Sequence, residues 1–458
     1  MRFTTAASLA LAASLATTAF AQITPTRVGP VSQYGQLMTG KNSQGQGRIY
    51  GSCEGVKDGA EVQVRGMSLY WSLMPQAVEF WSEEGVTTMV NDMNIQIVRA
   101  AMATDKEDWN GEYNGKKLKG YASDPNTQKD LMKTVVEAAI KNDIYVIIDW
   151  HSHNANEQTE SAKNFFKEMA QTYGQYDNVI FELFNEPTDI SWGSIKTYAD
   201  QVVSVIREYS DNLILVGTPK WDQNPQAAIG NEVNDSKKNT AYTLHYYANS
   251  HCWSGQYDWG GTCEGTNGEQ AMNAGLSVFV SEWGTADASG GGDPNQSRNK
   301  SWQDYINKHK LSWANWSASY ISEGTAAFQG GSTKTSLQYT TSGNLVKGYL
   351  STNPTSYKAC KDNVIPESSS SVVTAIPFYA NSDRFNASVQ NGTLSLTSTA
   401  SGVANIQVFD MLGNTRVQMS KQLGSGSHSI ALGALPAGSY LVRVQQGANL
   451  SQVRFQVR

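Results

Sequence analysis

Between about Ala60 and Thr352 the chain repeats one local pattern eight times: a short apolar run, then a longer stretch with helical spacing. The runs are Val62–Met67, Ile95–Ala101, Tyr145–His151, Val179–Asn185, Leu213–Gly217, Tyr242–Tyr247, Ser277–Trp283 and Ser312–Ser317. Most are nearly continuous in Val, Ile, Leu and Phe, as strands buried on both faces require. Between them, Asp130–Asn142 puts Leu131, Val135, Ala138 and Ala139 on one helical face. Ile195–Tyr209 does the same with Ile195, Ala199, Val202, Val203 and Ile206. Eight such units in series predict an α/β fold of the (β/α)8 type, a TIM barrel. A doubly wound open sheet is the competitor, but it calls for a Gly-rich phosphate turn after its first strand, and none is present.

The polar residues in this pattern are not scattered. Arg99, His151, Asn185, Glu186, His245, Glu282 and Trp316 all fall at or just past the C-terminal end of a predicted strand. Barrel enzymes carry their chemistry on that face. Singly, each has a bland reading: a buried Arg can be a structural ion pair, and a lone His is more often a hydrogen-bonded core residue. Six units with such a residue at the same relative place argue for one shared site. Within it, Glu186 ends the fourth strand and Glu282 the seventh, so they face each other across the barrel mouth. Two carboxyl groups about 5–5.5 Å apart are what glycosidic hydrolysis with retention needs. Arg99 near Glu282 would keep that carboxylate ionised as a nucleophile, and a charged neighbour would hold Glu186 protonated as acid.

The rest of the chain sets the compartment. At 458 residues it exceeds one ordinary domain but suits a barrel of roughly 250 residues or more plus a smaller module. Arg2, the apolar run Ala6–Phe20 and Ala19-Phe20-Ala21 read as a signal peptide over residues 1–21, and no other apolar stretch reaches transmembrane length. In an oxidising compartment the four cysteines should pair. Cys252 with Cys263 and Cys53 with Cys360 are favoured among three possible pairings. No C-x-x-C or H-x-x-x-H spacing suggests a metal site, and no cofactor motif is present. A formal charge of −6 argues against nucleic acid, whereas twelve Trp and twenty-one Tyr suit stacking on a neutral sugar polymer. Residues 22–365 are the expected catalytic domain, opened by a small hairpin from Val31–Leu37 and Gly47–Gly51 that could plug the barrel bottom. Residues 366–372 form a Ser-rich linker, and 373–458 alternate short strands with Gly and Pro turns, predicting an all-β sandwich.

The motifs themselves carry a resemblance. Glu182-Leu183-Phe184-Asn185-Glu186-Pro187, Ser281-Glu282-Trp283-Gly284 and Trp313-Ala314-Asn315-Trp316-Ser317 resemble glycoside hydrolase family 5, the large cellulase family. Val98-Arg99-Ala100-Ala101-Met102, Ile148-Asp149-Trp150-His151, His245-Tyr246-Tyr247-Ala248 and the opening Tyr34-Gly35-Gln36-Leu37 with Arg65-Gly66-Met67-Ser68 are similar too, in family order over residues 31–352. The detail is nearest its bacterial endoglucanase branch, subfamily 2. The resemblance implies Glu186 as acid/base and Glu282 as nucleophile. It further implies that Arg99, His151, Asn185, His245 and Tyr247 line the cleavage subsite, that Trp316 stacks on a sugar, and that Trp71 forms a neighbouring platform. The implied activity is endo-β-1,4-glucanase on cellulose and related β-glucans, with β-mannanase or mixed-linkage glucanase as the alternative. A catalytically dead binding protein is disfavoured, because both glutamates are present. Two features depart from the branch: Ser68 leads into Leu69-Tyr70-Trp71 instead of a His-Gly pair, and Asn249–Gly265 is longer than the pattern. The tail, through Val408-Phe409-Asp410-Met411-Leu412-Gly413 and Leu435–Val444, resembles a Bacteroidetes-type secretion sorting domain. That implies a secreted or surface-attached monomer whose tail contacts secretion machinery. A carbohydrate-binding module is the rival, but the tail has no Trp to build a platform.

Overall fold

The computed structural model describes residues 23–53, 60–105, 112–113, 115–360, 385–390, 392–398, 401–410, 415–433, 435–436, 438–446 and 449–457. The expected signal peptide and Ser-rich linker lie outside these residues. The chain divides into two compact units, Met1–Ile365 and Pro366–Arg458.

In the first unit eight parallel strands close on themselves: Arg65–Leu69, Ile97–Ala103, Tyr145–His151, Val179–Glu182, Ile214–Val216, Thr240–Thr243, Val278–Gly284 and Trp313–Ala318. Each pairs with the next, and Trp313 of the eighth sits opposite Arg65 of the first. The barrel is therefore complete. Gly66 shows how tightly: a Cβ there would collide with the Ile97 carbonyl oxygen on the neighbouring strand. The expected strands shift by a few residues. The fourth stops at Glu182, short of Asn185, and Thr240–Thr243 is separated from a two-residue strand, Tyr246–Tyr247.

The outer helices start where the sequence caps them. Ser82, Asp124, Ser191, Asn295 and Thr340 each accept a backbone N–H from the first turn, at 3.0–3.2 Å. Such caps contribute about 1 kcal/mol each. Val135, Val136, Ala138 and Ala139 of Pro125–Lys141, and Val202, Val203 and Ile206 of Trp192–Ile206, bury their apolar stripes against the strands. Inside the barrel's N-terminal end a second cluster joins Ile97, Tyr145, Ile147, Ile180, Leu215 and Phe279 to Val31, Leu37 and Ile49. The last three come from the plug ahead of the barrel. Its form differs from the expected hairpin: Pro30–Tyr34 is a short helix, and the hairpin pairs Leu37–Lys41 with Gly47–Gly51. Proline at the first helical position favours that start. Tyr145 Oη seals the junction by donating to the Gly35 carbonyl at 2.6 Å. Both favoured disulfides are present, Cys53–Cys360 and Cys252–Cys263.

Among its described residues the second unit has seven antiparallel strands in two sheets. Three (Phe385–Gln390, Thr393–Ser398, Gly426–Ala431) form one sheet, and four (Gly402–Asp410, Thr415–Leu423, Gly438–Gln446, Asn449–Val457) form the other. Leu394, Leu396 and Ile430 of the first share a core with Ile406, Val408, Val442 and Val444 of the second, which makes it a β-sandwich. Among the described residues no helix is long and apolar enough to cross a membrane.

Candidate functional site

Strand alternation turns Arg99, Asp149, His151 and Glu182 inward, in step with Ile97, Ile147 and Ile180 one layer below. The seventh strand needs a further device. Ser281 and Glu282 are consecutive, so plain alternation would send one of them outward. A register irregularity between Val280 and Trp283 lets both reach the interior, the re-aiming that a bulge provides. Ser281 Oγ donates to Glu182 Oε1 at 2.6 Å, and Glu282 Oε2 accepts from Arg99 Nη1 at 2.7 Å.

Arg99 is wholly buried and organises the floor. Its Nε donates to Glu182 Oε2 at 2.7 Å, and its Nη2 reaches Asn185 Oδ1 at 2.8 Å and Asp149 Oδ2 at 2.9 Å. A guanidinium that meets three carboxylates cannot give up its proton, so their pull overcomes burial and keeps its pKa well above the ordinary value. Glu282 is held from both sides, because Tyr247 Oη donates to Oε1 at 2.7 Å. His151 Nδ1 lies 2.7 Å from Asp149 Oδ2. Burial, then the Arg99 charge, pushes this imidazole well below its usual range, so it is neutral.

Glu186 sits on a strained turn at φ 51°, a cost of order 1–3 kcal/mol for a non-glycine residue. Asp222 holds it there by accepting the Glu186 N–H at 2.9 Å, while His153 Nδ1 lies 3.1 Å from the Glu186 carbonyl oxygen. His245 Nδ1 is 3.2 Å from Glu186 Oε1, and its Nε2 is 2.9 Å from Ser281 Oγ. Since that hydroxyl donates to Glu182, Nε2 must carry a proton. The contact between Nδ1 and Oε1 then holds one proton for two groups. Burial opposes charge on both, but the acidic neighbours Asp222, Glu182 and Glu186 lift His245 well above 6.5. For Glu186, burial is outweighed by His245, His153 and Arg99, so its pKa falls below the usual value. Against the expectation of a protonated Glu186, these neighbours draw Glu186 towards the carboxylate form and His245 towards the imidazolium.

Carboxylate oxygens of Glu186 and Glu282 and a ring nitrogen of His245 lie within 4.8 Å of one another. The spacing could admit a cation, but Arg99 already donates to Glu282 Oε2 and both ring nitrogens of His245 are engaged by Glu186 and Ser281, so the donor set does not suit a metal. The predicted aromatics gather at His151. Trp316 lies parallel to it at 5.4 Å, and Trp71 meets it edge-on at 5.6 Å. All nine predicted residues thus come together at one barrel end. Trp316 is only 6% exposed, a wall more than an open shelf.

Sequence reasoning assigned no role to Glu182, Asp149, Ser281 or Asp222, which hold the others in place. For Glu182, Asp149 and Ser281 the available signal was polar residues inside otherwise apolar strands; Asp222 lies in the short segment Pro219–Asp222. It also passed over Trp221, 40% exposed, whose backbone N–H donates to the Pro187 carbonyl at 2.8 Å beside the Glu186 turn. No apolar pattern marks that residue, because its exposure follows from three successive left-handed residues, Lys220, Trp221 and Asp222.

Comparison with known proteins places this geometry. Residues 56–322 match the family model Cellulase (glycosyl hydrolase family 5), and residues 388–458 match the secretion system C-terminal sorting domain, a mark of export to the cell exterior or surface. Endoglucanase Z of Dickeya dadantii is 39% identical over 297 residues, 64% of this chain and 63% of that protein. An endoglucanase of Clostridium saccharobutylicum is 36% identical over 316 residues, 66% of this chain and 64% of the other. The matched region therefore spans less than two thirds of either relative. Among solved structures, one from Cytophaga hutchinsonii superposes with TM-score 0.60 at 33% identity, over 70% of this chain and 96% of its own. The alkaline cellulase K catalytic domain does so with TM-score 0.59 at 30% identity, over 70% and 94%. With the barrel, the ordered strand-end motifs and a family model that covers more than half of its length, the chain belongs to glycoside hydrolase family 5.

Proposed function

We propose that the barrel is a retaining endo-β-1,4-glucanase, with Glu282 as nucleophile and Glu186 as acid/base. The observation that carries this is the approach of their carboxylates to within 4.8 Å. So close an approach is in keeping with the roughly 5–5.5 Å between the carboxyl groups of retaining enzymes. Arg99 and Tyr247 supply the charge and the hydrogen bond that aim Glu282 at the anomeric carbon. Attack forms the bond from Glu282 Oε to the anomeric carbon as the glycosidic C–O bond breaks. The leaving oxygen takes the proton held between His245 and Glu186, delivered through Glu186 Oε1. Glu186, again a carboxylate once that proton has left, then deprotonates a water that displaces Glu282 and regenerates the β-anomer. Asn185, oriented through its carbonyl oxygen by Arg99, has its amide group for the sugar 2-hydroxyl, a contact that strengthens in the transition state.

The endoglucanase names of the relatives support the substrate, as do the Trp71 and Trp316 rings beside His151, which suit glucose rings with equatorial hydroxyls. Glu282→Gln and Glu186→Gln are each expected to lose nearly all hydrolysis while keeping the fold. Azide should rescue Glu282→Ala to an inverted glycosyl azide and Glu186→Ala to a retained one. Wild-type turnover in both Gln variants would refute the assignment. Initial rates on carboxymethyl cellulose, mannan, xylan and mixed-linkage glucan test the substrate, and a mannan preference would leave the mechanism standing but not the name. We further propose that the C-terminal sandwich sorts or attaches the enzyme, by contact with export machinery.

A further inference from the structure

Trp259 is 77% exposed, the most exposed large apolar side chain among the described residues. It is not a loose side chain. The Cys252–Cys263 disulfide closes its loop. Within the loop Tyr257 N donates to the Gly261 carbonyl at 2.7 Å, and Gly260 N to that of Tyr257 at 2.8 Å. The Tyr257 hydroxyl is held on the buried Glu264 at 2.7 Å. The Trp259 indole lies nearly parallel to the Tyr257 ring, with centroids 5.1 Å apart and planes at 15°. It also lies over Gly261, where a methyl group would collide with the six-membered ring of the indole. A disulfide, two turn hydrogen bonds and a stacked tyrosine thus hold one flat ring whose surface is mostly in water. Burying that ring would be the ordinary outcome for tryptophan; a scaffold that rigidly presents it points to a flat apolar occupant.

The loop's position narrows the occupant. It leaves the barrel five residues after Tyr247, the residue that touches Glu282, so it rises from the barrel end that holds the carboxylates. His251 ties it there, with Nδ1 accepting the Tyr247 N–H at 2.8 Å, and Arg298 Nη2 donates to the His251 carbonyl at 2.7 Å. We propose that Trp259, presented by this disulfide-closed loop, is an outlying platform that stacks on one pyranose ring of a β-linked glucan chain already engaged at the catalytic carboxylates. The proposal rests on the glucanase reading for the identity of the chain, but not for the existence of the platform.

Full-length wild-type protein, Trp259→Ala and Trp259→Tyr should be compared by affinity electrophoresis in hydroxyethyl cellulose, galactomannan and arabinoxylan, and by kinetics on a chromogenic cellobioside and on cellohexaose. One stacked ring corresponds to roughly a two- to twelve-fold change in affinity. Trp259→Ala is expected to weaken retardation and raise KM for cellohexaose by that factor, with cellobioside turnover unchanged and Trp259→Tyr close to wild type. Equal retardation of the Ala variant and wild type overturns the proposal, as does equal loss on the short substrate. Trp259-dependent retardation of wild type in galactomannan or arabinoxylan, with no cleavage of hydroxyethyl cellulose or cellohexaose, would refute the glucanase reading and leave the platform standing. Failure of all three polysaccharides to retard wild type overturns the platform.

Discussion

The residue that ties the two halves of the site together is Glu182, and replacing it by Gln is the sharpest test of the electrostatic reading. Glu182 is fully buried, accepts from Arg99 on the nucleophile side and from Ser281 on the side of His245. Burial raises its pKa, but Arg99 and His245 outweigh that and bring it to about 2. Against an ordinary 4.5, the difference corresponds to about 3 kcal/mol of stability, since one pKa unit is about 1.4 kcal/mol. That agrees with the roughly 3–5 kcal/mol lost when one partner of a buried ion pair is removed. The folded value lies below the unfolded one, so the stabilisation is full above pH 4.5 and is lost as pH falls through about 2. Glu182→Gln should therefore be destabilised by about 3 kcal/mol at pH 6, roughly 6 °C in Tm, and by only about 2 kcal/mol at pH 3.5. Asp149 offers a compensating route. Burial, with help from Glu182 and Glu282, holds its pKa well above the ordinary range despite Arg99, so it could ionise when Glu182 is gone. Adding Asp149→Asn closes that route and should restore any missing part of the gap. Calorimetry on all three proteins at both pH values is the assay, with kcat and KM on a soluble glucan alongside. Because Glu182 positions Arg99 and His245 without touching substrate, kcat should fall at least tenfold with KM little changed. A gap below about 1 kcal/mol at pH 6 in the double variant, or one that does not shrink at pH 3.5, would refute the reasoning.

His245 should behave in the opposite sense to Glu182. Burial lowers its pKa, but Asp222, Glu182 and Glu186 raise it further, so its stabilisation is full below 6.5 and is lost as pH rises through the elevated folded value. Melting curves of wild type and His245→Gln should converge in alkali, and a constant gap would count against a charged imidazole. The Cys53–Cys360 bridge closes a loop with a sequence separation of 307 residues, worth on the order of 5 kcal/mol by chain entropy. Cys53→Ser with Cys360→Ser should lower Tm by several degrees without altering kcat, whereas an unchanged Tm would show that the plug holds the barrel unaided. A chain that ends near Asn363 should fold and keep its activity on soluble substrate, since the barrel is a compact unit of its own. A large loss of binding to insoluble cellulose on that truncation would favour a carbohydrate-binding role for the tail.

What the sequence made legible was whatever repeats. Eight apolar runs with helical spacing between them dictate a barrel because a strand buried on both faces leaves no other place for its partners. Glu186 and Glu282 were legible because each interrupts such a run where the strand ends. Less legible was everything set by tertiary contact. The irregularity that turns both Ser281 and Glu282 inward leaves no mark on composition, since it is defined by the neighbouring strand's register. The short helix at Pro30–Tyr34 was read as strand because Val31 and Leu37 are apolar in either form, and only their burial against Ile97 and Tyr145 distinguishes them. The balance of charge between Glu186 and His245 was least legible of all. Glu186 has acidic chemistry in its name, and a charged neighbour was expected to hold it protonated. Nearest its carboxylate oxygens stand His245 and His153 with Arg99 behind them, while Glu182 and Asp222 meet the imidazole at its other nitrogen, Asp222 touching Glu186 only at the backbone N–H. A carboxyl group among donors is drawn towards its charged form, and here the nearest base is one hydrogen bond away. The motif names the acid, but its surroundings are set by five side chains that come from five different strand ends.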